Sequence, residues 1–261
     1  MRIALGIEYD GAAFVGWQRQ EAGRTVQGAV EEALSRVASH AVQVVCAGRT
    51  DTGVHATGQV IHFDSTAARA PDNWVRGANA NLPADIRIQW ALPTTDAFHA
   101  RFSARRRHYR YAILNTAAAP ALLRQRVCWE RLPLHLEPMQ LAARHLLGEH
   151  DFTSFRAAAC QARSPRRTIY RLDVTRAGQC IYIDVIANAF LHHMVRTIAG
   201  VLIAIGRGEQ APGWSAQLLA ARDRTAGGVN APAAGLYLVG VAYDAHFGLP
   251  DTGWLPVFAA N

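Results

Sequence analysis

Residues 25–64 read TVQGAVEEALSRVASHAVQVVCAGRTDTGVHATGQVIHFD. The hydrophobic period changes twice along this stretch. Val26, Val30, Leu34 and Val37 recur every three or four residues, which places them on one face of a helix. Thr25 stands where its hydroxyl can cap that helix. VQVVC (42–46) then reads as a short strand, and GQVIHFD (58–64) as a second one. Between the strands lie Arg49, Asp51, His55 and the glycines Gly48 and Gly53, with Gly58 opening the strand that follows. This connection has no helical period. Its glycines allow tight turns and close approach of the backbone to a ligand.

Working outward, RIALGIEY (2–9) is a strand and GAAFVGWQRQEAGRT (11–25) a Gly-rich loop. PDNWVRGANANL (71–82) opens on Pro71, a favoured first-turn residue, and reads as a helix. IRIQWALP (86–93) is a strand. The second half repeats this order. HYRYAILN (108–115) is a strand, and LEPMQLAARHLLG (136–148) a helix expected to end at Gly148. RRTIYRLDVTR and QCIYIDVIA are strands around a turn at Ala177-Gly178. AFLHHMVRTIAGVLIAIGRG (189–208) is a long helix, followed by a shorter one at WSAQLLAAR and a strand at LYLVGVAY. The order βαββαβ occurs twice, which predicts an α+β fold of two ferredoxin-like halves. Those halves are expected to join into one mixed, mostly antiparallel sheet, with helices on one face and a cleft on the other. The expected boundaries are 1–98, 99–244 and a tail of 245–261 without a clear element. No sequence repeat underlies the duplication.

The chain has 261 residues, half of them apolar and 18% charged, as in soluble globular proteins. No run approaches the roughly 18 apolar residues of a membrane-spanning helix, and the N-terminus has no secretory pattern. Cys46, Cys128, Cys160 and Cys180 are scattered singly, without a C-x-x-C, which points to reduced thiols in a cytoplasm rather than to disulfides or zinc. The net charge is +7, and all 27 basic residues are Arg. Arg101, Arg105, Arg106, Arg107 and Arg110 interleave with Phe102, Tyr109 and Tyr111; Arg163, Arg166, Arg167 and Arg171 form a second cluster. Basic clusters beside aromatics suit phosphate contact and base stacking, so nucleic acid is the expected partner, against the plainer reading of a solvated charged face.

If Arg49 to Asp51 is extended, the two side chains point the same way, and the guanidinium keeps the carboxylate ionised. An ionised carboxylate suits a nucleophile. The plainer alternative is a surface turn Asp that caps its own loop. Asp-Thr-Gly is also an aspartic-protease signature, and it occurs at 51–53 and at 251–253. Such enzymes share one proton between two carboxylates. An Arg two residues from the first Asp opposes that arrangement, and the helices are out of place in a β-rich protease fold. His192-His193 is expected on the long helix, where adjacent residues face different ways, so structural or RNA contact is favoured over metal ligation.

Six blocks in order, from residue 3 to about residue 244, resemble the bacterial tRNA pseudouridine synthase A family: GIEYDGAAFVGWQRQ with TVQGAVEEAL, AGRTDTGVHATGQVIHF, FHARFSARRRHYRYAILN, CQARSPRRTI, NAFLHHMVRTIAGVLIAIGRG and APAAGLYLVGVAY. The resemblance implies isomerisation of uridine to pseudouridine at positions 38, 39 and 40 of the tRNA anticodon stem-loop by a cytoplasmic homodimer, with no cofactor. It makes Asp51 the catalytic nucleophile. Arg49 becomes the arginine that enters the RNA helix as the target base leaves, and Arg196 the basic partner of the catalytic aspartate. Tyr109 is the ring that packs on the uracil, and Leu236 an apolar wall. Arg101, Arg107, Arg163 and Arg166 are expected on the RNA backbone. Thr52 departs from the Ala that members often carry, and its hydroxyl is free to add a hydrogen bond. A non-catalytic RNA-binding module of the same fold is the alternative reading; it has no need of Asp51 beside Arg49.

Overall fold

A computed structural model of the chain describes residues 1–158, 160–227, 230–250 and 253–258. The chain divides into two compact units, Met1–Arg107 with Tyr237–Leu255, and His108–Leu236 with Pro256–Asn261. In chain order the described elements are β1 (Arg2–Tyr9), α1 (Val26–Ala38), β2 (Val45–Cys46), β3 (His55–Asp64), α2 (Pro71–Asn81), β4 (Ile86–Thr94), β5 (Arg106–Asn115), β6 (Cys128–Glu130), α3 (Leu136–Arg144), β7 (Gly148–Asp151), β8 (Arg166–Ala177), β9 (Cys180–Ala187), α4 (Met194–Gly206), α5 (Trp214–Ala221) and β10 (Leu236–Ala242). The fold is α+β with mostly antiparallel strands. No described helix is long and apolar enough to cross a membrane.

In the first unit β1 lies between β4 and β3, antiparallel to both. The far edge of β3 is shared by two short partners. β2 pairs antiparallel with Ile61 and His62, and β10 pairs parallel with His55 and Ala56. Alternation assigns the two faces. Ile3, Leu5, Ile61 and Phe63 share one face, where Phe63 meets Trp74 of α2 edge to face at 5.0 Å. Thr25 Oγ1 accepts the Gly28 N–H and caps α1 as its sequence predicts. The other face buries Ala4, Val60, Phe98 and Ala100, with Trp90, Tyr243 and Phe247 packed against them. Burying two such layers supplies most of the stabilisation of a unit this size.

In the second unit the strand order is β5-β9-β8-β7, with β8 antiparallel to both neighbours and β6 parallel to β5. α3 packs on β8 and on α4. The strands β6 and β7, each four residues or shorter, are absent from the sequence reading. α3 stops at Arg144 rather than at Gly148. The N–H groups of His145, Leu146 and Leu147 each bond three residues back, tightening the last turn, and Gly148 takes a positive φ of 93° as β7 begins. The long helix also starts later than expected. His193 sits in the left-handed region at φ 64°, so His192 and His193 precede α4 instead of lying on it.

The tail forms a short 3₁₀ turn at Ala245–Phe247. Within the first unit Thr57 Oγ1 donates to Trp254 O at 2.7 Å, and Trp254 Nε1 donates to Glu8 Oε2 at 2.9 Å. The second Asp-Thr-Gly begins at residues 251 and 252, outside the described residues.

Candidate active site

Asp51 lies where β2 and β10 part along the edge of β3. β2 is held through Ala47, whose N–H donates to Val60 O at 2.8 Å. From Gly48 the chain leaves the ladder and returns only at His55, opposite Tyr237 of β10. Gly58 has no room for a side chain, because a Cβ there would stand 2.0 Å from Val239 O. Residues 48–54 form the loop between these two anchored ends.

That loop is tied down within its own unit. Val54 N–H donates to Asp51 O at 3.1 Å, closing a turn around Thr52 and Gly53, and Gly53 takes a φ of 76° there. Trp17 N–H donates to Thr50 O at 2.9 Å, and Gly53 N–H to Phe14 O at 3.4 Å. Thr50, 6% exposed, shares a 2.7 Å hydrogen bond between its Oγ1 and the Tyr9 hydroxyl. Thr52 Oγ1 donates to Val15 O at 3.0 Å, the extra hydrogen bond its hydroxyl makes possible. The loop that starts at Gly11 thus grips the Asp51 loop along its length. His55 anchors the end. It is 2% exposed, its Nδ1 takes the Gly11 N–H at 3.0 Å, and its ring stacks on Tyr237 at 4.7 Å.

Thr50 points inward, and its neighbours Arg49 and Asp51 lie toward solvent, Asp51 half-buried and Arg49 exposed. This alternation is what an extended segment produces. Cys46 ends β2 just ahead; burial pushes its thiol up to about 12, outweighing the opposing charge of Arg49, and leaves it inert.

Of the arginines in 101–110, several are engaged inside the fold. Arg107 Nη2 donates to Arg101 O at 2.8 Å and to Ala47 O at 3.1 Å. Arg105 pairs with Asp244 at 2.7 Å. Arg110 is buried in the second unit, bonded to both oxygens of Asp184 at 2.9 and 2.7 Å, with His108 on the same carboxylate at 3.0 Å. Burial pushes the Asp184 carboxyl up, but hydrogen bonds from His108 and Arg110 prevail and hold it below the usual range. Arg101 is exposed.

In the second unit Tyr109 is buried on β5 and meets Phe190 edge to face at 5.0 Å. Arg196, in the first turn of α4, clasps the segment before β10. Its Nε donates to Ala231 O at 2.9 Å, and Ala231 N–H returns a bond to Arg196 O at 3.0 Å. Tyr111 OH donates to Pro232 O at 2.8 Å. Leu236, buried, ends that pinned segment as the first residue of β10. Arg163 and Arg166 stand exposed at the approach to β8, and Arg166 pairs with Glu149 at 3.2 Å.

Residues 6–103 and 142–244 match the family model described as tRNA pseudouridine synthase. The chain belongs to that family. It is similar to tRNA pseudouridine synthase A of Vibrio cholerae serotype O1, 57% identical over 258 residues, covering 99% of this chain and 98% of that protein. The protein of the same name from Nitrosococcus oceani is 59% identical over 250 residues, 96% of each chain. That of Coxiella burnetii is 55% identical over 257 residues, 98% of each. A solved structure titled "Crystal Structure of a Cbf5-Nop10-Gar1 Complex" aligns with 77% of this chain and 45% of that chain at a TM-score of 0.35 and 12% identity, a likeness too slight to carry an argument.

Residues around the synthase-family loop that sequence reading passed over are those that hold it: Tyr9, Gln59 and the 11–17 segment. Gln59 is fully buried. A glutamine inside the apolar run QVIHF was the available signal, because a buried amide requires partners.

Proposed function

We propose that this protein isomerises uridine to pseudouridine in tRNA, at positions 38, 39 and 40 of the anticodon stem-loop. The observation that carries the reading is the Asp51 loop: a half-buried carboxylate on a loop held by five hydrogen bonds, three to the segment before α1, one to Tyr9 of β1 and one within its own turn, in a chain of the tRNA pseudouridine synthase family.

The chemistry sets the requirements. The C1′–N1 glycosidic bond breaks, the uracil turns, and C1′ bonds to C5 of the same base. The proton on C5 leaves as N1 gains one, so the reaction is an isomerisation without net change in atoms or electrons. Asp51 is the nucleophile that holds the sugar or base during the exchange. Tyr109 supplies a flat face for the free ring, Leu236 an apolar wall, and Arg196 the positive partner of the carboxylate. A base must be extruded from the stem, at a cost of a few kcal/mol. Arg49 fills the space it vacates, and Arg101, Arg163 and Arg166 offset the cost through the phosphates; Arg107, expected from sequence beside them, instead spends its guanidinium on Ala47 O and Arg101 O.

In this reading the half spanning 1–98 brings the nucleophile, the half spanning 99–244 holds the base, and 245–261 is a tail that Trp254 ties to Thr57 and Glu8. The enzyme works in the cytoplasm as a homodimer, which suits a small protein gripping a long ligand. Mapping pseudouridines in tRNA treated with the purified protein tests the reading: modification confined to 38–40 supports it, and unmodified tRNA, or modification elsewhere, refutes it.

A further inference from the structure

Phe102 is 76% exposed, while Phe14, Phe63, Phe98, Phe152 and Phe155 are buried. Its presentation is rigid. His99 Nδ1 accepts the N–H groups of both Arg101 and Phe102, at 3.2 and 3.1 Å. His99 N–H donates to Ser103 Oγ at 3.0 Å, and Ser103 N–H to His99 O at 2.9 Å. Tyr243 OH donates to Ala100 O at 2.7 Å, and Ala100 N–H to His62 Nδ1 at 3.1 Å. One face of the Phe102 ring rests on the His99 ring, 4.3 Å away and 25° from parallel. The Arg101 guanidinium lies 5.7 Å from the ring centroid.

We propose that Phe102 is a stacking platform for an unpaired base of the RNA, a deepening of the tRNA reading above, on which it rests. An aromatic ring held on one side by a second ring and flanked by a guanidinium offers its free side to a planar π-system. Bases stack on such rings whatever their sequence. The loop is ordered in advance, so little side-chain entropy is lost on binding. The Arg107 guanidinium bonds both Arg101 O and Ala47 O, which makes the platform and the root of the Asp51 loop one braced piece. A base stacked there is placed at a fixed distance from the loop that bears the carboxylate. The positive charge of Arg101 favours RNA over a second copy of this basic chain as the occupant.

The test uses the full chain with tRNA, and reads binding separately from pseudouridine formation. Phe102→Ala and Phe102→Leu should weaken binding about tenfold, and Phe102→Trp should stay within about twofold of wild type. The indole introduced by Phe102→Trp should be quenched by tRNA beyond the quenching seen with wild type. Pseudouridine formation at subsaturating tRNA should fall in step with binding, and a loss in Phe102→Ala that leaves affinity at the wild-type value overturns the proposal. The proposal is overturned if Phe102→Ala binds as wild type does, if Leu substitutes as well as Trp, or if the Ala variant changes the oligomeric state with RNA affinity intact. Wild-type protein that binds tRNA yet forms no pseudouridine refutes the isomerase reading instead, and the binding ratios still decide this one.

Discussion

Gln59 and Gly48 are joined like two paired amides. Gln59 Nε2 donates to Gly48 O at 2.6 Å, and its Oε1 faces the Gly48 N–H at 3.4 Å. The pair ties the chain to β3 just after it leaves β2 for the Asp51 loop, so one fully buried side chain sets the departure angle of the proposed nucleophile. Gln59→Leu removes both of these bonds from the half-buried Gly48 peptide. A loss of about 1–3 kcal/mol of stability is expected, together with a fall in pseudouridine formation of about a hundredfold if the carboxylate shifts by about 1 Å. Affinity for tRNA should hold. Urea unfolding and tritium release from 5-tritiated uridine in tRNA measure the two effects.

Arg196 is docked on Ala231 through both its Nε and its backbone oxygen. A lysine keeps the charge and loses the directed Nε bond. Arg196→Lys should therefore recover only part of the activity that Arg196→Ala abolishes. Full activity in the Lys variant would assign the residue a purely electrostatic role.

Tyr109 packs its ring against Phe190. Tyr109→Phe preserves the flat face and should cost less than about tenfold in rate, whereas Tyr109→Ala removes the ring and should cost far more. Single-turnover kinetics rank the two. The reverse ranking would make the hydroxyl the working group.

Acid should loosen the first unit before it titrates the carboxylates. Burial lowers the His62 pKa from 6.5 to about 4, with the charges of His99 and Arg2 adding to it. The folded state thus holds His62 neutral, accepting the Ala100 N–H. Between pH 6.5 and about 4 the unfolded chain binds the proton and the folded chain does not, so stability is complete above 6.5 and falls as pH drops through that window, by on the order of 3 kcal/mol at its lower end. Burial, helped by Arg2, lowers the neighbouring His99 in the same sense. Urea unfolding against pH should show the decline, and His62→Gln should flatten it.

Much of the fold was legible because its elements follow clean periods. The strands at 2–9 and 86–94 and the helices at 26–38 and 71–81 stand where alternation, Thr25 and Pro71 put them. β6 and β7 were not, since three- and four-residue strands have no period to read. The start of α4 was misjudged because nothing in FLHHM announces a left-handed His193. For the site, the loop bearing Arg49 and Asp51 stood out through glycines and a lone carboxylate. Its supports did not, because Tyr9, Gln59 and Gly11 reach it across the sheet rather than along the chain. Counting arginines also misled in one respect. Arg110 reads as part of a basic cluster, yet Asp184 holds it inside the protein.

The central claim rests on one carboxylate, and Asp51→Ala tests it most directly. The variant should fold, bind tRNA with wild-type affinity, and release no tritium from 5-tritiated uridine above the enzyme-free rate. Tritium release at the wild-type rate from the Asp51→Ala protein would contradict the account.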